Sequence, residues 1–322
     1  MNRNVRSLPR QGGLSLIELM IALLVGLLLL GGLIQIYLSS KQSYNAQEQL
    51  ARMQENGRFA MDLITRDLRR TGYWGGNRNL GVITGNPGPA APAHTCAADN
   101  TWGRMIRWRV SGLNQNAAPG GYTCATGHLA GTDILAIRHA GSEIIPDASV
   151  AGNNLFLRST IFQGRVMTGT LKGDPLNVIP PDPPTATPAH WLPVVRPLVS
   201  HAYYIGDSGQ TCGAAAIPAL FRVGLVDGLP AAEQIATGVE QLQVRYLVNG
   251  AYEDADTVEA ANDWPDVQAV RVWLLMRSEC PESGLVNPVD FTMGDVTVAG
   301  DDGFRRQLYV STVMLRNPMP GL

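Results

Sequence analysis

An apolar segment near the N-terminus constrains the fold of this chain more than any other feature. Residues 19–36 are apolar except for Gln35, and these 18 residues are enough for a helix to cross the hydrocarbon core of a membrane. A single carboxylate, that of Glu18, lies directly before them. Because a charge in hydrocarbon costs roughly 2.5 to 3.5 kcal/mol on insertion scales, Glu18 calls for a partner and suggests a function.

The residues before the apolar segment differ from those of a secretory signal peptide. Residues 1–13 contain Arg3, Arg6 and Arg10 and no acid, and they end in two glycines. In a secretory signal the small residues of the cleavage site would follow the apolar segment, and no such site follows here. We expect the basic leader to stay on the cytoplasmic side of the membrane.

Composition excludes several classes of protein. The chain has 322 residues, of which 45% are hydrophobic, enough for a sizeable core. Lys and Arg number 25 against 27 Asp and Glu, a balance that argues against a surface built for nucleic-acid phosphates. Beyond the first 40 residues no second apolar run has the length of a membrane span.

Four cysteines, at positions 96, 124, 212 and 280, lack the spacing of a metal site. In an exported chain they predict disulfides, for which three pairings are possible. Proximity in the sequence favours Cys96 with Cys124 and Cys212 with Cys280. Free buried thiols are the alternative.

Helical periodicity continues beyond the apolar segment, and one helix is expected from Leu14 to about Arg70, ended by Gly72. Its apolar stripe is formed by Leu50, Met53, Gly57, Ala60 or Met61, Ile64 and Leu68. Charged residues lie largely off this stripe, namely Glu48, Arg52, Glu55, Arg58, Asp62, Arg66, Asp67 and Arg69.

After Gly72 the pattern changes to short β-like runs between turn residues, which predicts an antiparallel sheet packed on the second half of the helix. Residues 174–197 contain eight prolines and are predicted to be an extended surface loop. The predicted strands are residues 104–110, 133–139, 201–206, 219–223, 239–248, 267–278 and 305–317.

No catalytic motif is recognisable. The five histidines are far apart in sequence, and no HExxH, GxSxG or phosphate-binding loop occurs, so neither an enzyme nor a cofactor is expected. The acidic stretch 252–266 offers weak calcium ligands in Asp254, Asp256 and Glu259, but it lacks the glycine and the terminal glutamate of an EF-hand. A solvated hairpin loop is the alternative.

The N-terminal segment "GLSLIELMIALLVGLLLLGGL" resembles the class III signal of type IV prepilins and of type II secretion pseudopilins. The resemblance implies cleavage after Gly13 and N-methylation of Leu14. It also implies that Glu18 pairs with the N-terminus of a neighbouring subunit during assembly. An intrachain pair or a protonated acid at the membrane interface is the alternative for Glu18. The chain departs from the common pattern in having leucine, not phenylalanine, at position 14.

Later blocks, "GTDILAIRHAG", "IATGVEQLQVRYLVNG", "VQAVRVWLLMRS" and "RRQLYVSTVMLRN", resemble the large minor pilins called PilW and, more remotely, the J-type pseudopilin. The resemblance implies an α+β type IV pilin fold, in which a long N-terminal helix packs on an antiparallel β-sheet domain. The expected parts are a cleaved leader (1–13), a transmembrane half of the helix (14–38), an amphipathic half (39–71) and a β-rich head (72–322).

The function implied by the resemblance is that of a minor pilin that primes assembly of a type IV pilus at or near its tip. Implied partners are other minor pilins, the major pilin, the prepilin peptidase, the inner-membrane assembly platform, a tip adhesin and membrane lipid. The implied location is the bacterial inner membrane with the head in the periplasm, and then the pilus. A type II secretion pseudopilin and, more remotely, a membrane-anchored periplasmic enzyme or receptor are the alternatives.

Overall fold

The structure is a computed structural model that describes residues 13, 15–87, 96, 100–115, 122–174, 177–179, 192–282, 284–286, 288–300 and 302–317. By internal contacts the chain divides into two units, Met1–Gln49 and Leu50–Leu322. The expected order of a long N-terminal helix followed by a β-rich domain is confirmed.

Helix α1 comprises Leu16–Arg70 and crosses the boundary between the two units. In the described chain it is the one helix long and apolar enough to span a membrane. The apolar side chains of its first part, from Leu16 to Leu38, are exposed. The helix ends as expected, because Gly72 has a φ of 74°, a left-handed conformation that glycine adopts without strain.

The second unit contains a large sheet of eight strands in the order β1-β5-β4-β6-β3-β2, with β7 paired to β6 and β8 paired to β7. All its pairs are antiparallel except β1 with β5. The strands are β1 (Ile83–Thr84), β2 (Val110–Leu113), β3 (Ile134–Ala140), β4 (Leu155–Ser159), β5 (Gly164–Thr168), β6 (Val194–Cys212), β7 (Ala215–Val226) and β8 (Leu229–Thr237).

A smaller antiparallel sheet has the order β10-β9-β11-β14, and a separate hairpin pairs β12 with β13. Alternation along β11 buries Val270, Val272 and Leu274 completely, as the pattern of its sequence predicts. A short helix, α2, connects β10 to β11. The remaining elements are β9 (Val239–Val248), β10 (Ala251–Glu253), α2 (Ala255–Ala261), β11 (Ala269–Arg277), β12 (Phe291–Met293), β13 (Val296–Val298) and β14 (Arg306–Met314).

The second half of α1 shares one hydrophobic core with strands of both sheets. Ile64 and Leu68 are fully buried, and burial of such a side chain contributes roughly 1.5 to 3 kcal/mol. At the position that the sequence left open, Ala60 is fully buried and Met61 is half-buried. The predicted apolar stripe therefore forms the contact between α1 and the sheets.

Two predicted segments are corrected. The strand predicted at 104–110 starts only at Val110, since residues 102–104 form a short 3₁₀ helix and the following residues form turns. The loop predicted at 174–197 is wrong at its C-terminal end, because Val194–Pro197 belong to β6 and pair with β4. Residues 175–176 and 180–191 of that segment lie outside the described residues. Pro197 pairs with Phe156 of β4, and its carbonyl accepts a hydrogen bond from the Gly141 N–H at 2.7 Å.

Candidate functional site

The N-terminal end of α1 brings together two of the predicted site residues. Gly13 is exposed, and an added Cβ would meet no atom within 4 Å. Leu14 lies outside the described residues. Glu18 is exposed in the first turn of α1, five residues after Gly13 in the sequence.

Glu18 also has a partner within its own helix. Its Oε2 accepts a hydrogen bond from the backbone N–H of Ser15 at 3.0 Å, and the Ser15 hydroxyl accepts from the N–H of Ile17 at 3.3 Å. These contacts resemble a capping box, in which Ser and a Glu three residues later satisfy free N–H groups of the first turn. A negative charge at this end also complements the helix dipole. The S-x-x-E spacing signals this arrangement in the sequence, and the role of Ser15 was missed there.

Asp67, which the sequence places largely off the buried stripe, is only 6% exposed. Its Oδ2 accepts hydrogen bonds from His201 Nδ1 at 2.5 Å and from the Tyr203 hydroxyl at 2.6 Å, and His139 Nε2 lies 4.0 Å from Oδ1. The sequence pattern does not show this burial, which is possible because polar groups on β3 and β6 supply the partners that let a carboxylate be buried. Both histidines lie near Asp67 although 62 positions separate them in the sequence.

The electrostatics of this group favour an ionised Asp67. Burial is the largest influence on Asp67 and raises its pKa. The hydrogen bond and charge of His201, the hydrogen bond from Tyr203 and the charge of His139 outweigh it and leave the pKa of Asp67 below its usual value. Burial lowers the pKa of His139. The group thus joins the end of α1 to β6 through charge-assisted hydrogen bonds.

Gly57 packs closely against the smaller sheet. A Cβ on Gly57 would lie 2.4 Å from Tyr309 Cε2 and 3.0 Å from Met276 Cγ. No side chain larger than hydrogen fits there without movement of Tyr309. The sequence pattern places Gly57 in the apolar stripe of α1. It does not show that only glycine fits there, because the side chain that excludes a Cβ, Tyr309, is in β14.

Two disulfides tie the head together. Cys96 pairs with Cys124, and Cys212 pairs with Cys280, the pairing that proximity in the sequence favours. The second disulfide joins the end of β6 to the segment after β11, so it links the large sheet to the smaller one.

Peptide mapping of the non-reduced protein is expected to find both disulfides. Their sequence separations are 28 and 68 residues. By loop entropy each stabilises the head by about 3 to 5 kcal/mol, the longer loop more. Removing Cys212–Cys280 as a paired serine variant should therefore lower stability more than removing Cys96–Cys124. Four thiols that react with an alkylating agent in the native protein would contradict the prediction.

The weak calcium candidates do not converge. Asp254 caps α2, with Oδ1 accepting from the N–H of Thr257 at 2.7 Å, and Glu259 accepts from the Trp264 indole. Asp256 is exposed in the first turn of α2. Among the residues that the structure describes, no group of three or more His, Cys, Asp or Glu could hold a metal ion. The stretch is a capped helix and turn, not a plain hairpin loop.

Two family models match parts of the chain. Residues 202–317 match the family model described as Type IV Pilus-assembly protein W. Residues 8–34 match the prokaryotic N-terminal methylation motif. No protein with a curated description matches the chain.

Among solved structures, the chain is similar to the type IV-like pilin TTHA1219 from Thermus thermophilus. The two are 12% identical with a TM-score of 0.38, over 84% of this chain and 99% of that one. So distant a likeness adds no argument about function.

Pilins are structural proteins, a family not known to be enzymatic, which agrees with the lack of a catalytic motif in the sequence. The chain therefore contains a domain that matches Type IV Pilus-assembly protein W at residues 202–317 and an N-terminal methylation motif at residues 8–34.

Proposed function

We propose that the protein is a minor pilin that primes assembly of a type IV pilus and lies at or near its tip. The prepilin peptidase cleaves after Gly13, and Leu14 becomes the N-methylated first residue. The observation that carries this proposal is the methylation motif at residues 8–34, which extends into a helix whose apolar side chains, from Leu16 to Leu38, are exposed. Such a surface needs lipid or other helices to cover it.

Before assembly the first half of α1 anchors the protein in the inner membrane, with the head in the periplasm. During assembly the same apolar surface packs against other minor pilins and the major pilin, with help from the inner-membrane assembly platform. A tip adhesin is a further partner of the head. Lipid and pilin helices both keep the apolar surface of α1 out of water, so one can replace the other on that surface.

Glu18 directs this exchange. Cleavage leaves a cationic amine on Leu14, and a carboxylate and an ammonium in lipid gain by pairing because each is costly alone. The hydrogen bond from Ser15 N–H holds the Glu18 carboxylate at the helix end, where the amine of a neighbouring subunit can reach it. The pair then sets the axial stagger between subunits.

Glu18→Ala is expected to leave membrane insertion and cleavage intact. The amount of the protein in sheared pili should fall at least about tenfold, because removing one partner of a buried ion pair costs about 3 to 5 kcal/mol. Quantitative immunoblots of sheared filaments and of the inner membrane measure this loss. Glu18→Gln is the matched variant, because it keeps an acceptor for the Ser15 N–H and loses only the charge.

If pairing with the Leu14 amine is what matters, the Gln variant should be depleted like the Ala variant. If capping alone matters, the Gln variant should assemble like the wild type. Equal incorporation of all three proteins would show that Glu18 has no role in assembly.

The PilW-type domain favours the pilus over the secretion pseudopilus. Deletion of the gene should therefore abolish twitching motility and leave type II secretion intact. Loss of secretion with normal motility would instead favour the pseudopilin function.

A further inference from the structure

A polar cavity lies beside the turn that follows α1. Its volume is about 360 Å³. It is lined by Gly72, Tyr73, Trp74, Gly76, Asn77 and Arg78 from that turn, and by Arg316 and Asn317 after β14. None of the features discussed above accounts for it.

Two residues that line the cavity, Trp74 and Asn77, each carry a buried donor that has no acceptor among the described residues. Trp74 is 1% exposed, and the unused donor is its indole Nε1. Asn77 is 3% exposed, and its Oδ1 accepts from the N–H of Asn79 at 2.9 Å. That bond fixes the amide so that Nδ2 is the unused donor. A buried donor without an acceptor costs about 1 to 3 kcal/mol, so both nitrogens call for an acceptor in the cavity.

The charge around the cavity is positive. Arg78 and Arg316 both line it and are exposed, and neither forms an ion pair within the described part of the chain. None of the lining residues carries a carboxylate. A guanidinium presents its N–H groups in a planar fork that matches the oxygens of a carboxylate or a phosphate.

The walls of the cavity are held in place by the sheets. The Gly72 N–H donates to the Arg138 carbonyl at 3.0 Å, and the Ala140 N–H donates to the Tyr73 carbonyl at 2.7 Å. On the opposite wall, Asn317 Nδ2 donates to the Thr71 carbonyl at 3.0 Å. A site whose donors are already in place loses little entropy on binding.

We propose that this cavity is a binding site for an oxyanion, either a carboxylate or a phosphate group. Trp74 Nε1 and Asn77 Nδ2 donate neutral hydrogen bonds to it from the buried wall, and Arg78 and Arg316 supply the charge at the mouth. A carboxylate on another protein and a free phosphate share this chemistry. The proposal rests on the head alone and does not depend on assembly into a pilus.

The test uses the full ¹⁵N-labelled chain in dodecyl maltoside, titrated separately with acetate and with inorganic phosphate. The indole N–H resonance of Trp74, identified by its loss in Trp74→Phe, is expected to shift saturably with at least one of the two anions. Tighter binding of acetate would indicate a protein carboxylate as the source of the anion, and tighter binding of phosphate a phosphate group. Both results support the site.

Replacing both arginines, in Arg78→Gln/Arg316→Gln, should weaken binding at least about tenfold, the effect of losing a hydrogen bond to a charged group. The control Arg58→Gln/Arg69→Gln removes the same charge from exposed positions on α1 and should change affinity by less than about twofold. An unshifted Trp74 resonance with both anions would overturn the proposal, since the donors would then be satisfied by water. Equal weakening in the control would also overturn it, since the binding would then be nonspecific.

Discussion

Replacing Asp67 by alanine is expected to lower the unfolding free energy of the head by about 3 to 5 kcal/mol, the cost of removing one partner from a buried charged group. His201 and Tyr203 would lose the carboxylate oxygen to which both donate. All six tryptophans lie beyond residue 72, so tryptophan fluorescence of the full chain in detergent, followed in urea, reports on the head.

Asp62→Ala is the matched control for this prediction. Asp62 is on the same helix, five residues earlier, and pairs with Arg66 at the surface, where both side chains are 61% exposed. Such exposed pairs contribute at most about 1 kcal/mol. A loss at Asp67 no larger than the loss at Asp62 would contradict the role assigned to the buried group.

The effect of Asp67→Ala should depend on pH. Because the pKa of Asp67 is lower in the folded than in the unfolded state, its contribution is present above the unfolded pKa of about 3.9 and is lost as pH falls through the folded pKa. The difference between wild type and variant should therefore narrow below about pH 4. Asp133, whose pKa burial raises to about 7, titrates in both proteins and cancels in the difference.

Replacing Gly57 by leucine is expected to destabilise the head by about 3 kcal/mol, the upper part of the range for overpacking a close contact. The new Cβ would fall 2.7 Å from Tyr309 Cζ, and the rest of the side chain would push β14 away from α1. Arg58→Leu introduces the same side chain at the next, exposed position and should change stability by less than about 0.5 kcal/mol.

A double-mutant cycle locates the clash. Adding Tyr309→Ala to Gly57→Leu should recover about 1 kcal/mol relative to the sum of the two single changes, because the leucine would then occupy space left by the ring. Additive effects of the two changes would show that Tyr309 is not what excludes a side chain at position 57.

The helix and the later strands could be predicted because each depends on a local period. The three-to-four-residue spacing through Ile64 and Leu68 and the alternation in β11 describe faces that a single element buries. The segment 104–110 has the apolar content of a strand, yet most of it forms turns. Its conformation depends on Arg138, which is about 30 residues away in sequence and donates hydrogen bonds to the Trp102 and Trp108 carbonyls. Short strands such as β12 and β13 have too few residues to show a period.

The candidate sites were predictable to different degrees. The spacing from Gly13 to Glu18 is local and can be read directly, whereas the burial of Asp67 depends on β6, which follows more than 120 residues later. The cavity beside Trp74 likewise requires the turn after α1 and the segment after β14 to meet. Sequence reasoning identifies a carboxylate or an arginine, but only the fold decides which of them is buried or lacks a partner.

Mass spectrometry of the N-terminus of the native protein is the most direct test that this chain is processed as a prepilin. The mature chain is expected to begin at Leu14 with a methylated amine, and changing Gly13 to a bulky residue is expected to leave residues 1–13 attached. An intact leader on the wild-type protein, or a cut after Ile36, would contradict it.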